Sequence, residues 1–180
     1  MNRFHFISSF LGFTVLLIAG CASKPIIPPH YEQYKLIDLK NFKGATSQKD
    51  FNKLEIEVFT MGSESSTIAK LVYDKIRTDI SSRFSINVPI TNPYEPTDTR
   101  HKILVLYQAI YIPTFNPHTG HNFTVLDLLV WSYIIDKVTG TIALLTQGLV
   151  RTIVISDEAI SGSVAEQSKR IIESLGALIY

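Results

Sequence analysis

The feature that most constrains the fold is a series of three long segments of strand-forming residues in the second half of the chain. Residues 101–112, 122–136 and 141–156 are rich in β-branched and aromatic residues, and each is long for a strand. The second and third are joined by DKVTG, residues 136–140, whose Gly140 can adopt the positive φ that a tight turn requires. The pattern therefore predicts a long antiparallel hairpin, preceded by a third long strand.

Shorter periodic segments flank these strands. Leu54, Ile56 and Val58 alternate with glutamates, which is the period of a half-buried strand. Helical spacing indicates one amphipathic helix that begins at residue 65 or 66 and a second over residues 162–179. The buried face of the first is predicted to hold Ile68, Leu71, Val72, Ile76 and Ile80, and that of the second to hold Val164, Ser168, Ile171, Leu175 and Leu178.

Two further short strands are predicted at sheet edges. Residues 34–39 are followed by a polar turn, and in residues 85–90 the presence of Pro89 favours an edge position. The elements then follow the order strand, helix, strand, strand, hairpin, helix. We therefore expect an α+β fold, a two-layer sandwich with a mostly antiparallel sheet, a long C-terminal hairpin and two amphipathic helices on one face.

The first 21 residues have the pattern of an export signal. Arg3 and the terminal amine precede an uncharged apolar run, residues 10–19, which ends at Gly20 and Cys21. A helix needs roughly 20 apolar residues to span a hydrocarbon core of about 30 Å, so this run is short for a permanent transmembrane helix. A buried cysteine at the end of a core helix is another interpretation, but it explains poorly why the helix would run directly into CASKPIIPPH.

The sequence LIAGC, residues 17–21, resembles the lipobox of bacterial lipoproteins. The resemblance implies cleavage after Gly20 and attachment of a diacylglyceryl thioether and an N-acyl group such as palmitate to Cys21. Two or three acyl chains make release from a membrane negligible. Ala22 stands where an aspartate retains many lipoproteins in the inner membrane of enterobacteria, so the resemblance favours the periplasmic face of the outer membrane.

This assignment predicts how the chain is organised. Residues 1–20 are a cleaved signal peptide, residues 21–34 are the lipidated cysteine and a proline-containing tether that reaches about 40 Å at most, and residues 35–180 are a single periplasmic α+β domain. Removing Arg3 with the signal peptide leaves 16 basic and 16 acidic residues, hence a net charge of zero, and acylation leaves no thiol. These properties disfavour nucleic-acid binding, disulfides and cysteine catalysis.

His118 and His121 are the best candidates for a metal site. Two histidines three residues apart can share an ion if two further ligands arrive. They lie in a predicted loop, residues 113–121, whose glycine and prolines favour surface histidines, and no cysteine remains to complete a site. The sequence therefore predicts neither a metal nor another cofactor.

Asp127 lies among apolar strand residues, where a raised pKa could suit it to acid catalysis. Other interpretations are exposure to solvent at a sheet edge and an ion pair with Arg151 across the hairpin. If Asp136 faces Thr141, the register places Val150 opposite Asp127. The ion pair then requires a one-residue shift or a β-bulge.

No catalytic motif accompanies these candidates. The sequence contains no GxSxG, no glycine-rich phosphate loop and no second carboxylate at a glycosidase spacing, so an enzyme is disfavoured and no catalytic residue is assigned. The aromatic side chains of the strands are predicted to belong to the core; they are Tyr107, Tyr111, Trp131 and Tyr133. The long hairpin can extend beyond the domain and pair with a strand of a neighbouring protein.

The element order over residues 54–178 and the D-x-x-T-G turn at Asp136 resemble a group of small envelope lipoproteins with TolB-N-terminal-like or curli-secretion-lipoprotein-like domains. The resemblance implies a role in secretion pores, flagellar or other trans-envelope rings, or activation of peptidoglycan synthases. The leading hypothesis is a lipid-anchored, non-enzymatic assembly or accessory subunit of an envelope complex. The alternative is a monomeric module that docks on a periplasmic enzyme or transporter, such as a cell-wall synthase or an ABC-type lipid exporter. A third hypothesis is a hydrolase with an unrecognised site.

Overall fold

The computed structural model describes residues 25–45, 51, 53–61, 66–86, 88, 99–154 and 156–179, so the predicted signal peptide and Cys21 lie outside the described residues. A short 3-10 turn, Pro29–Tyr31, comes first. The strands are β1 (Lys35–Ile37), β2 (Leu54–Thr60), β3 (His101–Asn116), β4 (His121–Asp136) and β5 (Thr141–Val154). The helices are α1 (Leu39–Ala45), α2 (Ser66–Phe84) and α3 (Asp157–Ile179).

The strands form one mixed sheet in the order β1-β5-β4-β3-β2. β3, β4 and β5 are antiparallel along their length, and Asp136 faces Thr141 across the predicted hairpin. β1 and β2 run parallel to their neighbours and cover only the first residues of β5 and the first half of β3. The predicted α+β fold is confirmed, with parallel edge strands and a third, short helix added to it.

α2 and α3 cover one face of the sheet and bury the main apolar core. Every residue predicted for the inner face of α3 is buried, and so are four of the five predicted for α2. The exception is Leu71, which is 36% exposed because it lies at the margin of the inner face, beside the fully covered Val72. Apolar burial at helical spacing thus positions both helices on the sheet.

Residues 25–34 lie across the opposite face of the sheet, which we call the open face. Tyr31 is buried there in a second apolar cluster with Leu104, Trp131 and other strand residues. The hydroxyl of Tyr133 donates a hydrogen bond of 2.8 Å to the carbonyl oxygen of Ile26. Three side chains of the expected tether, Ile27, Tyr31 and Tyr34, therefore pack against the sheet, since they gain burial that an extended chain would lack.

Several element boundaries differ from the prediction. The polar turn expected after β1 begins as helix α1, because Phe42 turns inward and is buried in the main core. α3 begins at Asp157 rather than residue 162. Of the strand predicted over residues 85–90, the described residues Ser85, Ile86 and Val88 are not in a strand, and the others lie outside the described residues.

The loop predicted over residues 113–121 is instead a second long hairpin. β3 continues to Asn116, four residues turn, and β4 begins at His121. Pro113 is compatible with a strand here because β2 has already ended, and a proline at a sheet edge removes no hydrogen bond to a neighbouring strand. In the part of the chain that the structure describes, no helix is long and apolar enough to cross a membrane.

Candidate interaction surface

Two tight turns of the same type close the long strands at opposite ends. D-x-x-T-G begins at Asp136 and N-x-x-T-G begins at Asn116. In each turn the side-chain oxygen of the first residue accepts the backbone N–H two residues later, from Val138 and from His118, at 2.9 Å in both cases. The final glycines have φ of 66° and 70°. The second copy of this pattern is the sequence signal that identifies the hairpin between β3 and β4.

Asp136 is fully buried and ionised, and its carboxylate stabilises the turn that it begins. Nε of Arg100 donates to both carboxylate oxygens and Nη2 donates to Oδ2 at 2.7 Å, while the N–H groups of Val138 and Thr139 donate to Oδ1. Burial opposes the charged form, but the hydrogen bonds from Arg100 and the two N–H groups outweigh it and lower the pKa of Asp136 to about 2. Its chemistry is therefore that of a structural carboxylate.

Asp127 faces Arg151 across β4 and β5. An extra residue in β5, Leu145, interrupts the register midway along the pair, so that Arg151 takes the place that an uninterrupted ladder would give to Val150. Nε and Nη2 of Arg151 donate to the two carboxylate oxygens of Asp127 at 2.6 Å each. The bulge that the ion pair requires is therefore present.

The ion pair decides the chemistry of Asp127. The residue is only 7% exposed, but the hydrogen bonds from Arg151 hold its pKa below the ordinary value. An acid catalyst needs the opposite shift, so the raised pKa considered for Asp127 is wrong. The Arg151 side chain is 64% exposed, which leaves a charge-neutral polar spot on the sheet.

His118 and His121 lie at the exposed tip of the hairpin between β3 and β4. His118 is within the turn and His121 begins β4. Among the residues that the structure describes, no group of three or more histidine, cysteine, aspartate or glutamate side chains is arranged to hold a metal ion. Both imidazoles are exposed to solvent.

The distal halves of β3, β4 and β5 extend beyond the cover of residues 25–34 and expose apolar side chains on the open face. We call this surface the distal patch, and it consists of Ile110, Ile112, Leu149 and Ile153 around the Asp127–Arg151 pair. These four side chains are 39%, 37%, 47% and 51% exposed. Cross-strand pairing brings them together, because Ile110 faces Asp127 and Ile112 faces Val125, which in turn faces Ile153.

The aromatic strand residues divide between core and surface. Tyr107, Trp131 and Tyr133 are buried, as predicted. Tyr111 is 46% exposed, and Phe115, nearer the tip of the hairpin, is 59% exposed. The prediction for Tyr111 is wrong because burial on the helix side of β3 ends at Ala109, and the alternate residues beyond it are exposed.

The outer edge of β5 is unpaired over residues 144–154 as far as the described strands go, since β1 pairs only with Thr141, Ile142 and Ala143. We call this stretch the open edge of β5. The backbone N–H of Met61 donates a hydrogen bond to the carbonyl of Tyr107, so the backbone groups of Tyr107 point away from β4. Because these groups alternate in direction along each strand, this one bond determines which residues of the other strands point toward a neighbour and which point outward. Beyond the bulge, four residues of β5 consequently direct their backbone N–H and C=O groups outward; they are Gln147, Leu149, Arg151 and Ile153.

At the other end of the open face, a charged cluster fastens the N-terminal segment. The Tyr31 hydroxyl donates to Glu57, and Lys102 Nζ lies 2.6 Å from Glu57 and 2.9 Å from Glu55. Burial, reinforced by Glu57, raises the pKa of Tyr31. Burial acts to lower the pKa of Lys102, but Glu57 and Glu55 outweigh it and raise that pKa. These groups bind one another, so their role is structural.

No protein-family model and no curated protein matches the chain. Several solved structures are similar in fold. A minor lipoprotein from Acinetobacter baumannii is 11% identical with a TM-score of 0.48, over 71% of this chain and 94% of that one. The PelC dodecamer from Paraburkholderia phytofirmans is 11% identical with a TM-score of 0.43, over 69% and 92%. Rare lipoprotein B from Shewanella oneidensis is 11% identical with a TM-score of 0.40, over 68% and 94%.

Proposed function

We propose that the protein is a lipoprotein anchored through Cys21 at the periplasmic face of the outer membrane, and that it serves as a non-enzymatic assembly or accessory subunit of an envelope complex. The anchor rests on the lipobox-like sequence LIAGC and the apolar run before it. Ala22 supports the outer membrane over the inner one. The subunit role rests on the outer edge of β5.

The open edge of β5 is the observation that carries the proposed role. An exposed strand edge is a template for another strand, and proteins usually protect such edges with charge, proline or a covering element. Residues 144–154 contain no proline and one charged residue, Arg151, whose charge is neutralised by Asp127. This edge is therefore suited to accept a strand from a neighbouring subunit.

The charged side chains support a role without catalysis. Asp127 and Asp136 are each held as carboxylates by an arginine, and both have lowered pKa values. The charged cluster of Glu55, Glu57 and Lys102 binds the Tyr31 hydroxyl and so holds the N-terminal segment on the sheet. Loss of a hydrolytic activity in Asp127→Asn or His118→Ala, with the fold intact, would favour the hydrolase hypothesis instead.

The anchor is tested by Cys21→Ser in cells fed a labelled fatty acid. Without the thiol there is no diacylglyceryl thioether, so the variant should take up no label and should accumulate as the uncleaved precursor. The wild-type chain should carry the label and begin at residue 21. Normal processing of the wild-type chain without any bound fatty acid would contradict the proposal.

Assembly is tested by the mass of the acylated protein in detergent, measured by light scattering and crosslinking. A subunit that pairs along β5 should form a defined oligomer. Gln147→Pro removes an outward N–H from the edge without removing a hydrogen bond to β4, so it should lower the mass to that of the monomer. Gln147→Ala, its matched control, should assemble normally. A wild-type protein that stays monomeric would instead support the monomeric docking module.

A further inference from the structure

We propose that the distal patch lies against the lipid bilayer to which Cys21 is attached, so that the open face of the sheet is the membrane-facing side of the protein. This inference deepens the proposed function and rests on its lipid anchor. The occupant is a lipid surface, and the patch that contacts it is Ile110, Ile112, Leu149 and Ile153 around the Asp127–Arg151 pair.

The position of the chain's first described residues gives the first argument. Ile26 is fixed on the open face by the hydrogen bond from Tyr133. Pro25 lines a groove together with Leu144, beside the point where the open edge of β5 begins. Pro25 follows Cys21 by four positions in the sequence, which limits the distance between their Cα atoms to about 14 Å. An acylated Cys21 would therefore hold the open face close to the bilayer.

The location of the patch gives the second argument. Tyr133 and Asp127 lie on the same strand and point to the same face, six residues or about 20 Å apart. The anchor point and the centre of the distal patch are thus on one side of the sheet. A bilayer that holds the anchor also faces the patch, whereas α2 and α3 lie on the far side.

The distribution of charge gives the third argument. Between Lys102 and Asp136 the sequence contains one charged residue, Asp127, and between Lys137 and Asp157 it contains one, Arg151. These two neutralise each other at 2.6 Å. Exposed charges lie outside these strands, on the helices at Lys70, Asp74, Glu166, Lys169 and Glu173 and, away from the distal patch, on the N-terminal segment and β1 at Glu32 and Lys35. A surface with exposed isoleucine and leucine side chains and no net charge is suited to the interface of a bilayer.

The chain offers a direct test, since Cys21 is its one cysteine and acylation consumes that thiol. An introduced cysteine is then the unique site for a nitroxide label. Ile153→Cys places the label in the distal patch, and Lys169→Cys places the matched control on the exposed side of α3. Both acylated proteins are reconstituted in phosphatidylcholine and phosphatidylethanolamine vesicles. Collision of each label with oxygen, which concentrates in hydrocarbon, and with a neutral nickel chelate, which stays in water, is measured by electron paramagnetic resonance.

The label at position 153 should show a several-fold higher ratio of oxygen to nickel accessibility than the label at position 169. Equal ratios at the two positions, on a vesicle-bound protein whose acylation is verified by mass, would overturn the membrane-facing orientation while leaving the anchor intact. Low accessibility of position 153 to both reagents would mean that a protein, rather than lipid, covers the distal patch, and this too would overturn the membrane-facing orientation. Absence of acylation would overturn the proposed anchor and this inference with it. Unchanged emission of Trp131, the one tryptophan, verifies the fold of both variants.

Discussion

Asp127 and Arg151 are paired across β4 and β5 because β5 contains one extra residue, Leu145, between the hairpin turn and the ion pair. The bulge shifts the alternation of β5 by one residue. Arg151 therefore points to the open face, and Val150 points toward the helices. The same shift places Leu149 and Ile153 on the open face, so one inserted residue determines the composition of the distal patch.

Replacing Arg151 by alanine should destabilise the protein and change its response to acid. The folded-state pKa of Asp127 lies below the value of about 3.9 expected in the unfolded chain. The pair therefore contributes stability above the unfolded pKa, and that contribution is lost as pH falls through the folded pKa. Urea denaturation at several pH values should show a smaller acid loss in Arg151→Ala than in the wild type. Arg170→Ala, which removes an exposed pair with Glu166, should leave the acid dependence unchanged.

Asp136→Ala should be more damaging than the equivalent change in the twin turn, Asn116→Ala. Asp136 is fully buried and accepts hydrogen bonds from Arg100 and two backbone N–H groups, so its loss should cost at least about 2 kcal/mol. Asn116 caps an exposed turn, and its loss should cost about 0.5 kcal/mol. Chemical denaturation of both variants measures the difference. Equal costs would contradict the structural role assigned to the buried carboxylate.

The pH dependence contributed by Asp136 has a defined window. Its pKa is about 2 in the folded protein and about 3.9 in the unfolded chain. Its contribution is therefore complete above about pH 4 and is lost as pH falls toward 2. Unfolding measured between pH 5 and pH 2 should show a shallower decline for Asp136→Asn than for the wild type. An unchanged slope would mean that the carboxylate gains no stabilisation on folding.

Two glycine substitutions should have opposite effects. Gly140 has φ of 66°, with open space around the position that a Cβ would take, so Gly140→Ala should cost about 1 kcal/mol through backbone strain alone. Gly162 lies inside α3, also with open space, and Gly162→Ala should stabilise the protein by up to about 1 kcal/mol. Thermal melts of the two variants should move in opposite directions from the wild type.

Tyr31→Ala should detach part of the N-terminal segment from the open face. Removing a buried aromatic side chain should cost about 3 kcal/mol, and the loss of the contact with Glu57 and Lys102 adds to the effect. Trp131 belongs to the same apolar cluster, so its emission should shift to longer wavelength as water enters. His30→Ala, at the exposed neighbouring position, should change neither stability nor emission.

Local sequence determined the elements whose patterns are strong. The alternation from Leu54 to Val58 and the helical spacing in α2 and α3 specified strands and helices, since apolar periodicity needs no knowledge of distant residues. The turn at Asp136 likewise predicted its hairpin and register. The turn at Asn116 carried an equivalent signal, but Pro113 and Pro117 made that segment look like a loop.

The features that only the tertiary structure decided depend on which surfaces of the sheet are covered by other parts of the chain. The sequence by itself allowed three environments for Asp127, and the Leu145 bulge selected one because the register of a strand depends on the partner as much as on the strand itself. The sequence predicts an extended tether for residues 25–34, yet Ile27, Tyr31 and Tyr34 pack on the open face because strand residues form an apolar cluster with them there. The same reasoning applies to Tyr111: strand propensity determined its backbone, but burial on its face of β3 ends at Ala109, so its side chain stays exposed.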